Sequence, residues 1–395
     1  MKPILYIMKN ISFLFFFFFS MLSFGQANTG YAVADAKMAA IPENATTSTQ
    51  AIANYINANF KTETDKIRAV FYWTASNITY DIPGMNAVNF NETVQQKIVK
   101  TLKTKKGVCI HYASVFNDLS QKVGIQSYII EGYTKQNGKV SNLAHAWVAA
   151  KVDRKWYVFD PTWGSGYVKN GRFSKKLNSY YFKTDPSTII ASHIPFDYLW
   201  QFSNYPITNN EFYEGKTQIN KTKKYFDFEK EIAKHNSLSE AEKLAAAAER
   251  IEKNGIKNAM ILERYEGKKK QLAYLQYNSN IEKLNEIVNE MNEAVVLLND
   301  FIHYRNNTFK PALPDIEISD MIDAPRAKLA KCQDAIYKVG SVGNENAANV
   351  ASIKKSISKA LAQAEEHARF VDNYLSNSKI VRKTMFYKVS QFRVR

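Results

Sequence analysis

A thiol, an imidazole and a carboxylate lie in three short, aromatic-rich blocks of the chain. Cys109 belongs to the block 107–113, and His145 and Asp160 belong to two blocks further on. A cysteine nucleophile needs a base beside it and a group that orients the base, and these three types of side chain can fill those roles. Because they follow one another closely, one domain can hold all three. We interpret Cys109, His145 and Asp160 as candidate catalytic residues.

The residues that follow Cys109 have helical spacing. Apolar side chains recur three and four positions apart as far as Val123, and Gly124 supplies a stop signal. Cys109 is therefore predicted in the first turn of a helix. Unpaired backbone N–H groups and the positive end of the helix dipole favour a thiolate there. The same N–H groups can hold an oxyanion.

His145 and Asp160 are predicted on the two strands of a hairpin. The chain has strand composition on both sides of a candidate two-residue turn: 143–152, Asp153-Arg154 and 155–160. In that register Trp147 faces Asp160, which makes Asp160 a diagonal neighbour of His145 at about 7–8 Å between Cα atoms. A slip of one residue would move Asp160 to the other face of the sheet.

With these motifs the chain resembles the transglutaminase-like superfamily, which has a papain-like α+β fold. The resemblance rests on Gly-Val-Cys-x-x-Tyr-Ala at 107–113, His-Ala-Trp at 145–147 and Trp-Tyr-x-x-Asp-Pro-Thr-Trp at 156–163. Segments within 163–208 also resemble the kyphoscoliosis-peptidase-type branch of this superfamily. The similar region runs from about residue 51 to 212.

The resemblance implies a role for each member of the triad. Cys109 would be the nucleophile, His145 the general base and then acid, and Asp160 the residue that orients the imidazole. Attack on an amide would release ammonia or an amine and leave a thioester. Water resolves the thioester in a peptidase or amidase, which we somewhat favour, and an amine resolves it in a cross-linking acyltransferase. Three further residues flank the triad and are candidate cleft or substrate contacts: His111, Trp147 and Trp163.

A non-catalytic role fits the same sequence. Some members of the superfamily have lost catalytic residues and act as scaffolds, so the domain could bind proteins or peptidoglycan at the cell envelope while the C-terminal part oligomerises. This chain retains all three triad residues. We therefore favour an exported cysteine enzyme whose substrates are peptide or isopeptide amides of proteins or peptides.

The other histidines and the second cysteine are interpreted as structural. His193 is interpreted as a loop or domain-contact residue, and His111, if it does not contact substrate, as a partly exposed helix residue. Cys332 falls in an apolar helical seam and is expected to be a buried free thiol, with a disulfide to Cys109 as the alternative. The sequence has no metal-ligand spacing and no phosphate-binding loop, so neither a metal nor a cofactor is expected.

The N-terminus has the pattern of a secretory signal peptide. Lys2 and Lys9 precede an apolar run over 11–19, and small residues follow it. We assign 1–26 to the signal and interpret the chain as an exported bacterial protein, periplasmic or extracellular. Retention of the segment as a membrane anchor is the alternative.

The formal net charge is +16, and residues 27–224 carry much of it, with 24 Lys and Arg against 14 Asp and Glu. A dispersed, solvated charge is the favoured interpretation, and attraction to an anionic envelope surface is the alternative. No nucleic-acid-binding module is recognisable, so nucleic acid is not an expected partner.

The composition changes after about residue 222. Apolar residues recur three and four positions apart over 274–302 and 350–374, and 231–252 is predicted as a further helix. We expect a transglutaminase-like catalytic domain over 27–222, followed by an all-α helical hairpin or bundle over 223–395. A coiled-coil stalk or dimer is the alternative, in which the helical domain mediates self-association.

Overall fold

A computed structural model describes residues 29–86 and 92–386, and the predicted signal peptide lies outside these described residues. They form two compact units. The first contains the described residues up to Ser237 together with Ala247–Tyr265, and the second contains Leu238–Ala246 together with the described residues from Glu266 onward.

Helices make up most of the described residues, and none of these helices is long and apolar enough to span a membrane. Their bounds are α1 (Ala32–Ala39), α2 (Thr49–Asn59), α3 (Glu63–Asn77), α4 (Val94–Thr104), α5 (Cys109–Lys122), α6 (Pro161–Ser165), α7 (Pro186–Ile189), α8 (Asn209–Glu214), α9 (Phe228–Ser237), α10 (Glu240–Lys253), α11 (Ala259–Asn306), α12 (Asp315–Ile336), α13 (Asn344–Ser376) and α14 (Lys379–Met385). Short 3-10 turns lie at Thr29–Tyr31, Glu43–Thr46, Pro83–Asn86, Ser179–Tyr181 and Tyr198–Gln201.

The strands all belong to the first unit. They are β1 (Thr79–Tyr80), β2 (Lys106–Gly107), β3 (Ser127–Gln136), β4 (Lys139–Val152), β5 (Lys155–Phe159), β6 (Gly166–Lys169), β7 (Arg172–Lys175) and β8 (His193–Pro195). The main sheet has the strand order β5-β4-β3-β8 and is antiparallel throughout. Strands β1 and β2 form a short parallel pair, and β6 and β7 form a separate hairpin.

The predicted hairpin register is confirmed. Val152 pairs with Lys155 across the turn, and the pairing continues to the end of β5. Asp153 and Arg154 have φ values of 49° and 66°, the left-handed conformation that tight two-residue hairpin turns require. The predicted second strand extends to Asp160, but β5 ends one residue earlier because Asp160 caps α6.

Helix α5 packs against one face of the main sheet and belongs to the largest apolar core. Its buried residues Tyr112, Val115, Phe116 and Leu119 lie in one cluster with the inward-facing residues of β4. The alternate residues of β4 and β5 lie in a second cluster on the other face of the sheet. The sheet is therefore covered on both faces, as expected for an α+β domain.

The second unit confirms the predicted helical bundle. Helices α11, α12 and α13 share two apolar clusters, and α12 runs antiparallel to the other two, because its early residues meet the late residues of α11 and α13. Cys332 is 3% exposed in one of these clusters and is a free thiol, as predicted.

The helix predicted over 231–252 is wrong in one respect, because α9 and α10 are separate helices. The Ser239 hydroxyl accepts the backbone N–H of Glu242 at 3.3 Å, and the Glu242 carboxylate accepts the backbone N–H of Ser239 at 2.8 Å. This capping box starts a new helix. The Ser-x-x-Glu pattern was the sequence signal for the break.

Candidate active site

Cys109 is the first residue of α5, as predicted from the sequence. The preceding residue, Val108, is extended and serves as the N-cap, and Cys109 itself is half-buried and free. At this helix start the N–H of Val108 donates to the His111 ring and that of His111 to the Val108 carbonyl, which leaves the N–H groups of Cys109 and Ile110 without a partner inside the helix. The thiol therefore lies where a negative charge on sulfur or on a nearby oxygen is stabilised.

His111 holds the start of this helix. Its Nδ1 accepts the backbone N–H of Val108 at 3.2 Å, and the side chain is buried, with 9% of the residue exposed, rather than partly exposed as predicted. A Cβ at position 107 would lie 2.5 Å from the Cβ of His111. The position of the His111 side chain over the helix start therefore depends on glycine at position 107. Burial, followed by the charge of Lys100, lowers the pKa of His111 and keeps Nδ1 free to accept.

His145 and Asp160 form a hydrogen-bonded pair. His145 Nε2 lies 2.8 Å from Asp160 Oδ2, across the hairpin whose register brings the two residues together. The other carboxylate oxygen, Oδ1, accepts the backbone N–H groups of Thr162 at 2.8 Å and Trp163 at 3.0 Å. Asp160 therefore caps α6 with one oxygen and holds the imidazole with the other.

The Cys109 thiol lies close enough to the His145 ring to raise its pKa. Because Nε2 of His145 is engaged with Asp160, Nδ1 is the ring nitrogen left for the thiol. Burial lowers the pKa of His145, but the Asp160 carboxylate and then Cys109 outweigh it and raise this pKa to about 10. Burial raises the pKa of Asp160, but its bonds to His145 and His193 hold it below its usual range. The structure thus brings the three predicted triad residues together in one site.

His193 is a fourth member that the sequence interpretation missed. It lies in strand β8, not in a loop, and its Nε2 is 3.1 Å from the same Asp160 Oδ2 that His145 contacts. Its side chain is fully buried. Spacing along the chain could not reveal this contact, because β8 joins the sheet by pairing with β3. The only sequence signal was the His-Ile-Pro triplet within the family-like tail.

Aromatic rings surround the triad. Trp147 is 1% exposed and packs in the core on one face of the sheet, whereas Trp163 is half-buried with its ring centre 5.6 Å from that of His145. Tyr80 lies close enough to the site for the charges there to shift its pKa. Burial, and then the charges of Cys109 and Asp160, raise the pKa of Tyr80 to about 12, so its phenol keeps its proton.

His145, Asp160 and His193 also have the composition of a metal site, which the sequence spacing did not predict. One ligand atom from each lies within 4.8 Å of the others. Two imidazoles and a carboxylate are a common metal-binding set. Here both Nε2 atoms are within hydrogen-bonding distance of Asp160 Oδ2, so mutual hydrogen bonds already satisfy the three side chains.

An α+β domain with a cysteine at a helix N-terminus and a His–Asp pair on an adjacent hairpin has the papain-like architecture. A family profile described as the transglutaminase-like superfamily matches residues 50–161, which contain the whole triad. These residues form a domain of the transglutaminase-like superfamily.

Three individual proteins illustrate the similarity. Human kyphoscoliosis peptidase is 30% identical over 159 residues, covering 38% of this chain and 24% of the human protein. The mouse kyphoscoliosis peptidase is 30% identical over 156 residues, covering 38% of this chain and 23% of the mouse protein. A crystal structure of a TGase is 19% identical, with a TM-score of 0.25, and covers 40% of this chain and 42% of that one. The chain thus spans about a quarter of the length of these two curated relatives.

Proposed function

We propose that the protein is a cysteine-dependent enzyme acting on peptide or isopeptide amide bonds. The observation that carries the proposal is the 2.8 Å hydrogen bond between His145 and Asp160 beside the Cys109 thiol, which lies in the first turn of α5. A thiol beside a base that a carboxylate orients is the arrangement of a covalent nucleophile.

In the proposed reaction His145 donates a proton to the leaving nitrogen and later accepts one from the acyl acceptor. The thiol proton already lies on His145, whose pKa is about 10, and the Cys109 sulfur attacks the amide carbonyl carbon. Free N–H groups at the start of α5 hold the oxyanion. The His145 imidazolium then protonates the leaving nitrogen as the C–N bond breaks, which leaves a thioester on Cys109. A water or an amine, deprotonated by His145, releases the acyl group and restores the thiol.

We favour water over an amine as the acyl acceptor. The two curated relatives are named peptidases, which supports hydrolysis in this chain. Protein cross-linking by an amine is the second outcome of the same thioester chemistry, and both would use the same triad.

One assay separates these outcomes. The protein is incubated with β-casein, with and without dansylcadaverine, beside a Cys109→Ala variant. Hydrolysis supports the peptidase, fluorescent labelling supports the acyltransferase, and both must vanish in the variant. The matched control is Cys332→Ala, which removes the buried thiol and should retain activity. If the wild type is inactive on both tests and its thiol is unreactive, the silent scaffold replaces the enzyme.

We further propose export and a place at the cell envelope. The apolar segment behind Lys2 and Lys9 supports export. Self-association through α11, α12 and α13 is a separate proposal. N-terminal sequencing of the secreted protein tests the first, with a start near residue 27 expected, and light scattering tests the second.

A further inference from the structure

Asp160 accepts as many hydrogen bonds as a carboxylate can. Oδ1 accepts two backbone N–H groups, from Thr162 and Trp163, and Oδ2 is shared by the two imidazoles, His145 at 2.8 Å and His193 at 3.1 Å. A carboxylate offers about four acceptor positions in all. His193 therefore fills the last position on the oxygen that faces His145.

The proton of His193 can be assigned from the partner of Nε2, the Asp160 carboxylate. Ser192 Oγ lies 2.8 Å from His193 Nδ1. Burial, with the nearby charge of His145 also opposing a second cation, lowers the pKa of His193 and keeps the ring neutral. Because the Asp160 carboxylate only accepts, the single ring proton lies on Nε2 and Nδ1 is an acceptor for Ser192 Oγ, which also lies 3.2 Å from the Ile189 carbonyl oxygen.

The His193 ring is held by packing as well as by hydrogen bonds. The Trp163 and Trp147 rings meet it edge-on, at centre distances of 4.6 Å and 5.1 Å. Gly132 permits the close approach of β8 that puts the ring there, because a Cβ at this position would lie 2.1 Å from the Ile194 carbonyl oxygen. A ring held in this way is preorganised and loses little freedom when it donates.

We propose that His193 is a positioning residue that completes the hydrogen bonds of Asp160 and so fixes the His145 imidazole towards Cys109. The inference rests on the proposed function for its catalytic meaning. Without the His193 donor, Oδ2 keeps a single partner in a buried site, and only the two N–H bonds at Oδ1 oppose a rotation of the carboxylate that draws His145 away from the thiol.

The test compares His193→Leu with His193→Gln in the full chain. Leucine removes the donor and keeps an apolar side chain between the tryptophans, whereas glutamine keeps an amide nitrogen near the position of Nε2. Two quantities are measured: the rate constant of Cys109 alkylation by iodoacetamide, followed by peptide mass spectrometry, and the ring N–H proton signals of ¹⁵N-histidine-labelled protein. Ser192→Ala and His145→Ala complete the set.

We expect His193→Leu to lower the alkylation rate constant about tenfold and His193→Gln to stay within about twofold of wild type. The hydrogen-bonded Nε2–H signal of His145 should persist in His193→Gln and shift or broaden in His193→Leu. Ser192→Ala, which leaves the ring in place, should give a smaller change in the same direction and serves if His193→Leu does not fold.

Wild-type behaviour of His193→Leu and Ser192→Ala in both measurements would reduce His193 to core packing. Absence of the wild-type N–H signals together with a stoichiometric bound metal would also overturn the inference. If instead the wild type and His145→Ala react equally slowly, the proposed function fails, and the His145 N–H signal still decides the role of His193.

Discussion

At the scale of single residues, Asp160 has two functions that can be separated. Its Oδ1 caps α6, and its Oδ2 holds an imidazole whose pKa is about 10. An asparagine keeps a carbonyl oxygen for the cap but removes the charge that stabilises the His145 imidazolium. The asparagine side chain can also turn its NH₂ group, instead of its oxygen, towards the His145 ring.

We therefore expect Asp160→Asn to fold and to lose about 10²- to 10⁴-fold in kcat on an active substrate. Asp185→Asn is the matched control. Asp185 also precedes a proline and caps a helix, through Ser187, but its ion pair with Lys155 is exposed. Steady-state kinetics measure kcat for Asp160→Asn and Asp185→Asn. Equal kcat values for the two variants would show that the Asp160 charge has no role in turnover.

The His145 pKa also predicts how stability depends on pH. A base whose pKa is raised by folding, here from about 6.5 to about 10, stabilises the fold fully below pH 6.5 and loses this contribution as pH rises towards 10. The gap in free energy of unfolding between wild type and His145→Gln should therefore shrink from pH 7 to pH 10. Urea titrations at the two pH values measure it.

His111 serves as a control because its contribution to the free energy of unfolding should change with pH in the opposite direction. Folding lowers its pKa, so its contribution is present above about pH 6.5 and is lost as the pH falls below that value. The gap between wild type and His111→Gln should shrink from pH 8 to pH 5. A His145 gap that stays constant or widens between pH 7 and pH 10 would mean that the ring is neutral in the folded protein.

The sequence was sufficient to predict the triad but not its fourth member. Cys109 was predictable because helix signals are local, and His145 and Asp160 because a two-residue hairpin sets a definite register. His193 reaches Asp160 through strand pairing between β8 and β3, which no local spacing encodes. The burial of His111 was missed for a similar reason, since its ring folds back onto a backbone N–H that the pattern alone does not reveal.

At the scale of elements, the β4–β5 hairpin sets the distance between His145 and Asp160. Its turn uses Asp153 and Arg154, both at positive φ, whereas the turn of the β6–β7 hairpin uses Asn170 and Gly171. Glycine adopts this conformation without the steric cost that arginine bears. The hairpin that carries His145 and leads to Asp160 thus has the less favourable turn.

Arg154→Gly should stabilise the fold by about 0.5–1 kcal/mol and leave Cys109 reactivity unchanged. The reverse exchange in the other hairpin, Gly171→Arg, should lower stability by a similar amount. Thermal unfolding midpoints of the two variants provide the measurement. A stability loss in Arg154→Gly would show that the arginine side chain makes a contact worth more than the strain of its backbone.

At the scale of the whole molecule, the two units have separate apolar cores. The clusters around α5 and the main sheet contain residues of the first unit only, and the clusters of α11, α12 and α13 contain residues of the second. The composition changes earlier, near residue 222, whereas the first unit continues to Ser237 and also includes Ala247–Tyr265. The break between α9 and α10 was readable in principle from a capping box, but the alanine-rich run after it dominated the helix prediction.

Separate cores imply separable stabilities. Leu298→Ala, at a position 2% exposed in the helical unit, should cost that unit about 2–4 kcal/mol and leave Cys109 alkylation at the wild-type rate. Phe116→Ala, in the core beneath α5, should slow alkylation. Chemical denaturation followed by circular dichroism, together with alkylation kinetics, checks both, and a loss of Cys109 reactivity in Leu298→Ala would contradict the independence of the units.

The central claim is that Cys109 and His145 work as a pair. The most direct measurement is the rate of Cys109 alkylation by iodoacetamide between pH 5 and pH 9, in wild type and in His145→Ala. Because the His145 imidazolium favours a thiolate beside it, we predict that the wild type reacts faster than the variant at low pH. The variant should react slowly at low pH and accelerate as pH rises. Superimposable profiles for the two proteins would contradict the claim.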